Sequence, residues 1–240
     1  MQFTSQTRGW TARAFALDFP PMNLSSVLRR LYSGPRDSAP GVVNPYRESF
    51  PNLDGPVAPR RRQANLEGYL ERVGAPRLVL LGEALGFRGG RFSGIAFTSE
   101  RQLVGPEARR LPWAGSPFQA TSRNPDLWLE PSGSVVWDAL GGDARGILLW
   151  NTFPWHPYAA KGPLSNRTPE RSLVMANLDV LEALLAEIGS ARVYAVGRTA
   201  QAALGWLGVE APALRHPAHG GAALFRRQLR DLRETTPLQE

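Results

Sequence analysis

Four short runs along the chain are apolar at almost every position: residues 78–81 (LVLL), 147–150 (ILLW), 193–196 (VYAV) and a weaker 213–215 (ALR). Runs with no polar face suit parallel strands that are covered on both sides. Between the second and third runs, Val174, Leu178, Leu181, Leu185 and Ile188 recur at spacings of 4, 3, 4 and 3. With Thr168 as N-cap, Pro169 in the first helical position and Glu170 in the first turn, this pattern predicts one long helix. Further helices are predicted over residues 63–72, before the first strand, 198–207, after the third, and about 221–233, after the fourth. The alternation of strand and helix predicts an α/β fold, a three-layer α/β/α sandwich around a short parallel sheet of about four strands.

The segment before residue 63 follows a different pattern. Leu24, Val27, Leu28 and Leu31 mark a short helix over residues 23–32, but residues 33–62 are rich in Pro, Gly and Arg and end in Arg60, Arg61 and Arg62. Residues 1–62 therefore read as an irregular arm with one short helix, wrapped on a single α/β domain over residues 63–240. The arginine run reads as part of a solvated linker, with contact to a phosphate backbone as the functional alternative.

A length of 240 residues allows one substantial core. The absence of cysteine excludes a disulfide framework, thiolate-ligated zinc, an iron–sulfur cluster and a Cys nucleophile. The first 20 residues carry two arginines and no continuous apolar stretch, and no later run reaches a membrane-spanning length, so a soluble, cytoplasmic protein without membrane contact is expected. The net charge is +7, and every cation but Lys161 is an arginine. Genome composition accounts for most of such a skew, yet an arginine-rich surface also matches phosphate oxygens.

Ligands of open parallel sheets bind beyond the carboxyl ends of the strands. There the sequence places Gly82-Glu83-Ala84-Leu85-Gly86, then Asn151, then Gly197-Arg198-Thr199, and finally His216-Pro217-Ala218-His219. The glycine loop is neither a Walker A loop nor a G-x-G-x-x-G fingerprint. It carries Glu83, a carboxylate able to hold a water or to stabilise positive charge. Asn151 reads either as a turn-forming residue or as an amide whose adjacent donor and acceptor match O4 and N3–H of uracil while rejecting cytosine. His216 and His219 lie in a Pro-containing turn with no carboxylate at ligand spacing, so no metal is expected. Phe97, in the segment Gly94-Ile95-Ala96-Phe97-Thr98, suits either a core position or a platform for a flat base.

Taken in order, Gly82-Glu83-Ala84-Leu85-Gly86, Phe97, Asn151 and His216-Pro217-Ala218 resemble the motifs of the uracil-DNA glycosylase superfamily. Asn166-Arg167-Thr168-Pro169, about 15 residues after Asn151, is similar to a signature of its thermostable bacterial and archaeal members. The resemblance spans residues 78–232 and implies excision of uracil, or a related deaminated base, from DNA by hydrolysis of the N-glycosidic bond. It implies no cofactor, DNA as the partner, and a monomer. The flipped base would rest on Phe97 and be held by Gly82, Ala84, Asn151 and His216, with Glu83, Asn151 and His216 as the catalytic set. Phosphates would lie on Gly86, Ala218, His219, Gly220 and Arg167.

The sequence also departs from that family. Leu85 stands where the family has Pro, Ala84 stands where other branches carry a catalytic Asp, and the cluster-ligating cysteines of the most similar branch are missing. His156 falls near the place of one cluster ligand, and packing by Phe153, Trp155 and Tyr158 is expected to replace the cluster. Leu224 and Phe225 are the candidates for an apolar strand wedge. Two alternatives stay open beside the glycosylase: a DNA-binding member that recognises damaged bases without cleaving them, and an unrelated nucleotide-utilising α/β enzyme.

Overall fold

The computed structural model describes residues 22–35, 40–110, 117–141 and 145–235. Residues 1–21 and 36–39 of the arm lie outside them. The strands are β1 (Val42–Val43), β2 (Leu78–Ala84), β3 (Ile147–Phe153), β4 (His156–Pro157), β5 (Arg192–Val196) and β6 (Ala213–Leu214). The helices before β3 are α1 (Ser25–Ser33), α2 (Ala58–Val73), α3 (Gly90–Ser93), α4 (Glu100–Val104) and α5 (Pro131–Leu140). After β4 come α6 (Arg171–Ala176), α7 (Asp179–Glu187), α8 (Arg198–Trp206) and α9 (Ala222–Thr235).

The main sheet has four parallel strands in the order β3-β2-β5-β6, flanked by helices as the sequence predicts. Leu78 to Leu81 and Ile147 to Trp150 are all buried, in keeping with strands covered on both faces. Helix α8 packs across β5, β2 and β3. Helix α2 lies along the outer edge of β3, where the Tyr69 hydroxyl donates to the Ile147 carbonyl (3.3 Å) and accepts from the Leu149 N–H (2.8 Å). One side chain thus occupies two backbone groups of an edge strand, which would otherwise invite pairing. No helix among the described residues is long and apolar enough to cross a membrane.

Two boundaries matter for function. Strand β2 extends three residues past the apolar run, to Ala84, and β3 extends to Phe153, so Gly82 and Asn151 are paired within the sheet rather than lying beyond it. The single helix expected from Thr168 is two: α6 starts only after Glu170, which makes no side-chain cap, and the chain breaks at Asn177, whose Nδ2 donates to the Leu173 carbonyl (2.9 Å). An Asn that bonds back to the preceding turn competes with the helical ladder.

The described part of the segment before residue 63 packs on the same core. Trp155 donates its indole N–H to the Leu31 carbonyl (3.0 Å), and Gly34 lies so close that a Cβ there would approach the indole ring to 2.5 Å. Strand β1 pairs antiparallel with β4, and Asn44 Nδ2 donates to the Gly34 carbonyl (2.6 Å). The expectation for Arg62 as part of a solvated linker fails. Helix α2 begins at Ala58, and Arg62 is fully buried on it.

Arg62 and Arg91 share one carboxylate, Asp54. Arg62 Nη2 meets Oδ1, while Arg91 forms a fork to Oδ1 (3.0 Å) and Oδ2 (2.8 Å). Burial alone would raise the Asp54 carboxyl, but the hydrogen bonds and charges of Arg91 and Arg62 outweigh it and hold the group below its usual value. Phe50 N–H donates to Oδ2 (2.6 Å), and Arg62 Nε donates to Thr121 Oγ1 (3.0 Å), so the cluster joins the loop of Phe50 and Asp54 and the loop of Thr121 to α2 and α3. Replacing Asp54 by Ala strands two buried cations and is expected to cost about 3–5 kcal/mol of stability, measured by urea unfolding. A loss below about 1 kcal/mol would show that water enters and screens the cluster.

Candidate active site

The register of the sheet builds the site. Gly82 pairs with Asn151, and a Cβ on Gly82 would stand 2.5 Å from Asn151 Oδ1 and against the Phe97 ring. Glycine at this position lets an aromatic face and an amide edge converge on one point. Phe97 itself sits at φ 53°, in the left-handed region that non-glycine residues rarely adopt, at a cost of about 1–2 kcal/mol. Its surroundings enforce that conformation: Ser93 Oγ donates to the Thr98 carbonyl, Trp137 Nε1 donates to Thr98 Oγ1 (3.1 Å), and Gly133 lies against the Phe97 carbonyl. Strain held this way is a mark of a functional position.

Phe97 and Asn151 line a cavity of about 430 Å³ together with Glu83, Ala84, Gly86 and His216. Asn166, Arg167, Ala218 and His219 also border it. Asn151 is buried, and its Nδ2 has no hydrogen-bond partner among the described residues. Two neighbours on the same strand, Trp150 Nε1 and Thr152 Oγ1, are likewise unpaired, but neither residue borders the cavity. A buried amide without a partner costs roughly 1–3 kcal/mol, which a ligand with a matching acceptor would recover.

His216 is fixed in one tautomer. The Ala218 N–H donates to Nδ1 (3.1 Å), so the proton of the neutral ring resides on Nε2. Burial, aided by the charges of Arg215 and His219, lowers the pKa below the usual histidine value, while Glu83 opposes that shift. The ring is therefore a neutral donor at neutral pH. Glu83 accepts from Thr199 Oγ1 (2.6 Å), which ties the end of β2 to the first turn of α8.

Most of the expected site residues come together in this way, and some change role. The Ala218 N–H, expected on a phosphate, is spent on His216, so Ala218 acts through the histidine. Arg167 reaches the Tyr158 carbonyl (3.2 Å) and Glu170 (3.4 Å), while still bordering the cavity. His219 and Gly220 are exposed at the turn. A second cavity, of about 750 Å³, continues from Glu83 and His216 past Thr199 to Arg198 and Arg215. Phe225 is fully buried and cannot be a wedge, whereas Leu224 is exposed.

The departures from the family pattern have physical reasons. Leu85 donates its N–H to the Trp155 carbonyl (3.0 Å), a bond that proline could not make. The residues near the place of a cluster do not fit one. The chain has no cysteine, and His156 is buried with Nδ1 2.8 Å from the Leu85 carbonyl and Nε2 3.0 Å from that of Pro163. Phe153 and Trp155 meet edge to face at 5.1 Å beside it. Among the described residues no cluster of His, Asp or Glu could hold a metal ion.

Sequence reading missed Glu130. It precedes Pro131 at the start of α5 and borders the cavity beside Gly86. No motif surrounds it and α5 carries no strong periodic pattern, so only the three-dimensional arrangement identifies it.

Replacing Glu83 by Gln should lower the His216 pKa further, because a charge that favours the imidazolium is lost. Histidine NMR titration measures this, and an unchanged or raised value would show that the two side chains do not interact.

The model of the uracil DNA glycosylase superfamily matches residues 71–233. No curated protein matches the chain.

Proposed function

The chain belongs to the uracil-DNA glycosylase superfamily, and we propose that it excises uracil from DNA by hydrolysing the N-glycosidic bond. Family membership supports a glycosylase role on DNA. The choice of uracil rests on one observation: the unpaired Nδ2 of buried Asn151, beside the Phe97 ring and opposite a His216 whose ring carries its proton on Nε2.

The mechanism follows from that arrangement. An everted base rests its face on Phe97, and Asn151 donates to O4 and accepts from N3–H. Cytosine presents the reversed pair and would leave both groups buried and unpaired, costing about 1–3 kcal/mol each. As the C1′–N1 bond lengthens, negative charge moves onto the base, and the Nε2–H of His216 stabilises it at O2. Neutral histidine suits this work: protonation of Nδ1 would break its bond from Ala218. Glu83, a carboxylate at the sugar side of the cavity, offsets the positive charge that grows on C1′. The DNA strand continues along the second cavity towards Arg198 and Arg215, and the backbone N–H groups of the exposed turn at His219 and Gly220 serve a phosphate.

Single-turnover assays on oligonucleotides containing one uracil, single-stranded or opposite G or A, test the proposal. Wild-type protein should release uracil and leave an abasic site, His216→Ala should slow release by about 10²–10³-fold, and Asn151→Asp should weaken the preference for uracil over cytosine. Gly82→Ala should abolish excision with little loss of binding to undamaged DNA, because it displaces both Phe97 and Asn151. Salt-dependent binding without base release on any substrate would favour a damage-recognising protein without cleavage activity, a reading to which Ala84 lends weight.

A further inference from the structure

Glu130 is the one carboxylate of the cavity that the mechanism above leaves unused. Its backbone is extended (φ −94°, ψ 117°) ahead of Pro131, and its side chain makes no cap for α5. Instead the side chain crosses to the glycine loop. A Cβ on Gly86 would lie 2.5 Å from Oε1, and Gly89 is pressed as closely against Oε2. Glycine at both positions makes room for the carboxyl group. The residue as a whole is half-buried, yet Oε2 is inaccessible and has no hydrogen-bond partner among the described residues.

The surrounding cations are engaged elsewhere. Arg88 lies over the Phe87 ring, Arg91 is paired with Asp54, and Arg167 reaches Glu170 and the Tyr158 carbonyl. The other titratable groups around the cavity are Glu83, turned to Thr199, and His216 and His219 on the opposite turn. Burial alone therefore acts on Glu130, and it pushes the carboxyl up to about 7. Oε2 is packed against Gly89, outside the cavity lining, whereas Oε1 lies against Gly86, which lines the cavity, and a group that changes charge near neutral pH within a ligand cavity is suited to proton transfer.

We propose that Glu130 is the general base of the hydrolysis, accepting a proton from the water that attacks C1′. This rests on the glycosylase reading above. The water oxygen bonds to C1′ as the C1′–N1 bond breaks, the bonding pair leaves with N1, and the resulting charge is held at O2 by His216. The water proton passes to Glu130 Oε1, the oxygen beside Gly86 of the cavity lining, and returns to solvent as the base departs. Glu83, anchored by Thr199, keeps a separate task as the fixed charge beside the sugar. The assignment supplies the carboxylate that Ala84 lacks, from a different element of the fold.

Single-turnover excision of uracil by wild type, Glu130→Gln and Glu130→Ala tests the proposal. Binding is measured with the same oligonucleotide carrying 2′-fluoro-2′-deoxyuridine, which resists hydrolysis. Glu130→Gln should bind within about twofold of wild type yet cleave roughly 10²-fold or more slowly. It should also lose the fall in rate expected of wild type as pH drops through about 7. Added formate should restore part of the rate of Glu130→Ala. Wild-type rate and pH profile in Glu130→Gln would overturn the proposal while leaving the glycosylase reading intact. So would a rate loss matched by lost binding and thermal stability, without rescue by formate. A wild-type protein that releases no base overturns the glycosylase reading and this proposal with it.

Discussion

The absence of a side chain at Gly82 is the constraint on which the site depends. Parallel pairing of β2 with β3 sets Gly82 beside Asn151, and the Phe97 ring closes over the same spot. A methyl group there would collide with both, so an aromatic face and an amide edge can share one cavity only because the strand carries glycine at its carboxyl end. The rest of the molecule holds these three positions in place. Tyr69 occupies the outer edge of β3, the Ser93 and Trp137 hydrogen bonds hold the Phe97 loop in a strained conformation, and the Asp54 cluster ties that loop region to α2.

The charged interior complements this geometry. Two arginines on one carboxylate would be costly if any partner were lost: all three are buried, Arg62 Nε also donates to Thr121 Oγ1, the Phe50 N–H donates to Asp54, and only Arg91 Nε is left without a partner among the described residues. Such a cluster gives directional contacts to loops that have little secondary structure of their own. It also changes the meaning of the arginine excess. Arg62 and Arg91 serve the fold, while Arg198 and Arg215, exposed along the second cavity, are available to a polyanion.

Much of the sheet and the strand-end motifs was legible in the sequence, because fully apolar strands and the residues following them are local signals. Glu83, Phe97, Asn151 and His216 do meet at one cavity, with Gly82 against Phe97 and Asn151. What could not be read depended on contacts distant in sequence. The break at Asn177 comes from a side-chain hydrogen bond that competes with an unbroken apolar period. Burial of Arg62 follows from Asp54 and Arg91, and neither is marked by any pattern. Glu130 joins the cavity through the approach of α5 to the glycine loop, and the Ala218 bond that sets the His216 tautomer belongs to a turn whose shape only the structure gives.

A crystal structure of the protein with duplex DNA carrying 2′-fluoro-2′-deoxyuridine tests the account most directly. The account predicts an everted uracil lying on the Phe97 ring, with O4 and N3–H on the Asn151 amide and O2 on His216 Nε2. A uracil still stacked in the duplex, or one lodged among Arg198 and Arg215 in the neighbouring cavity, would contradict it.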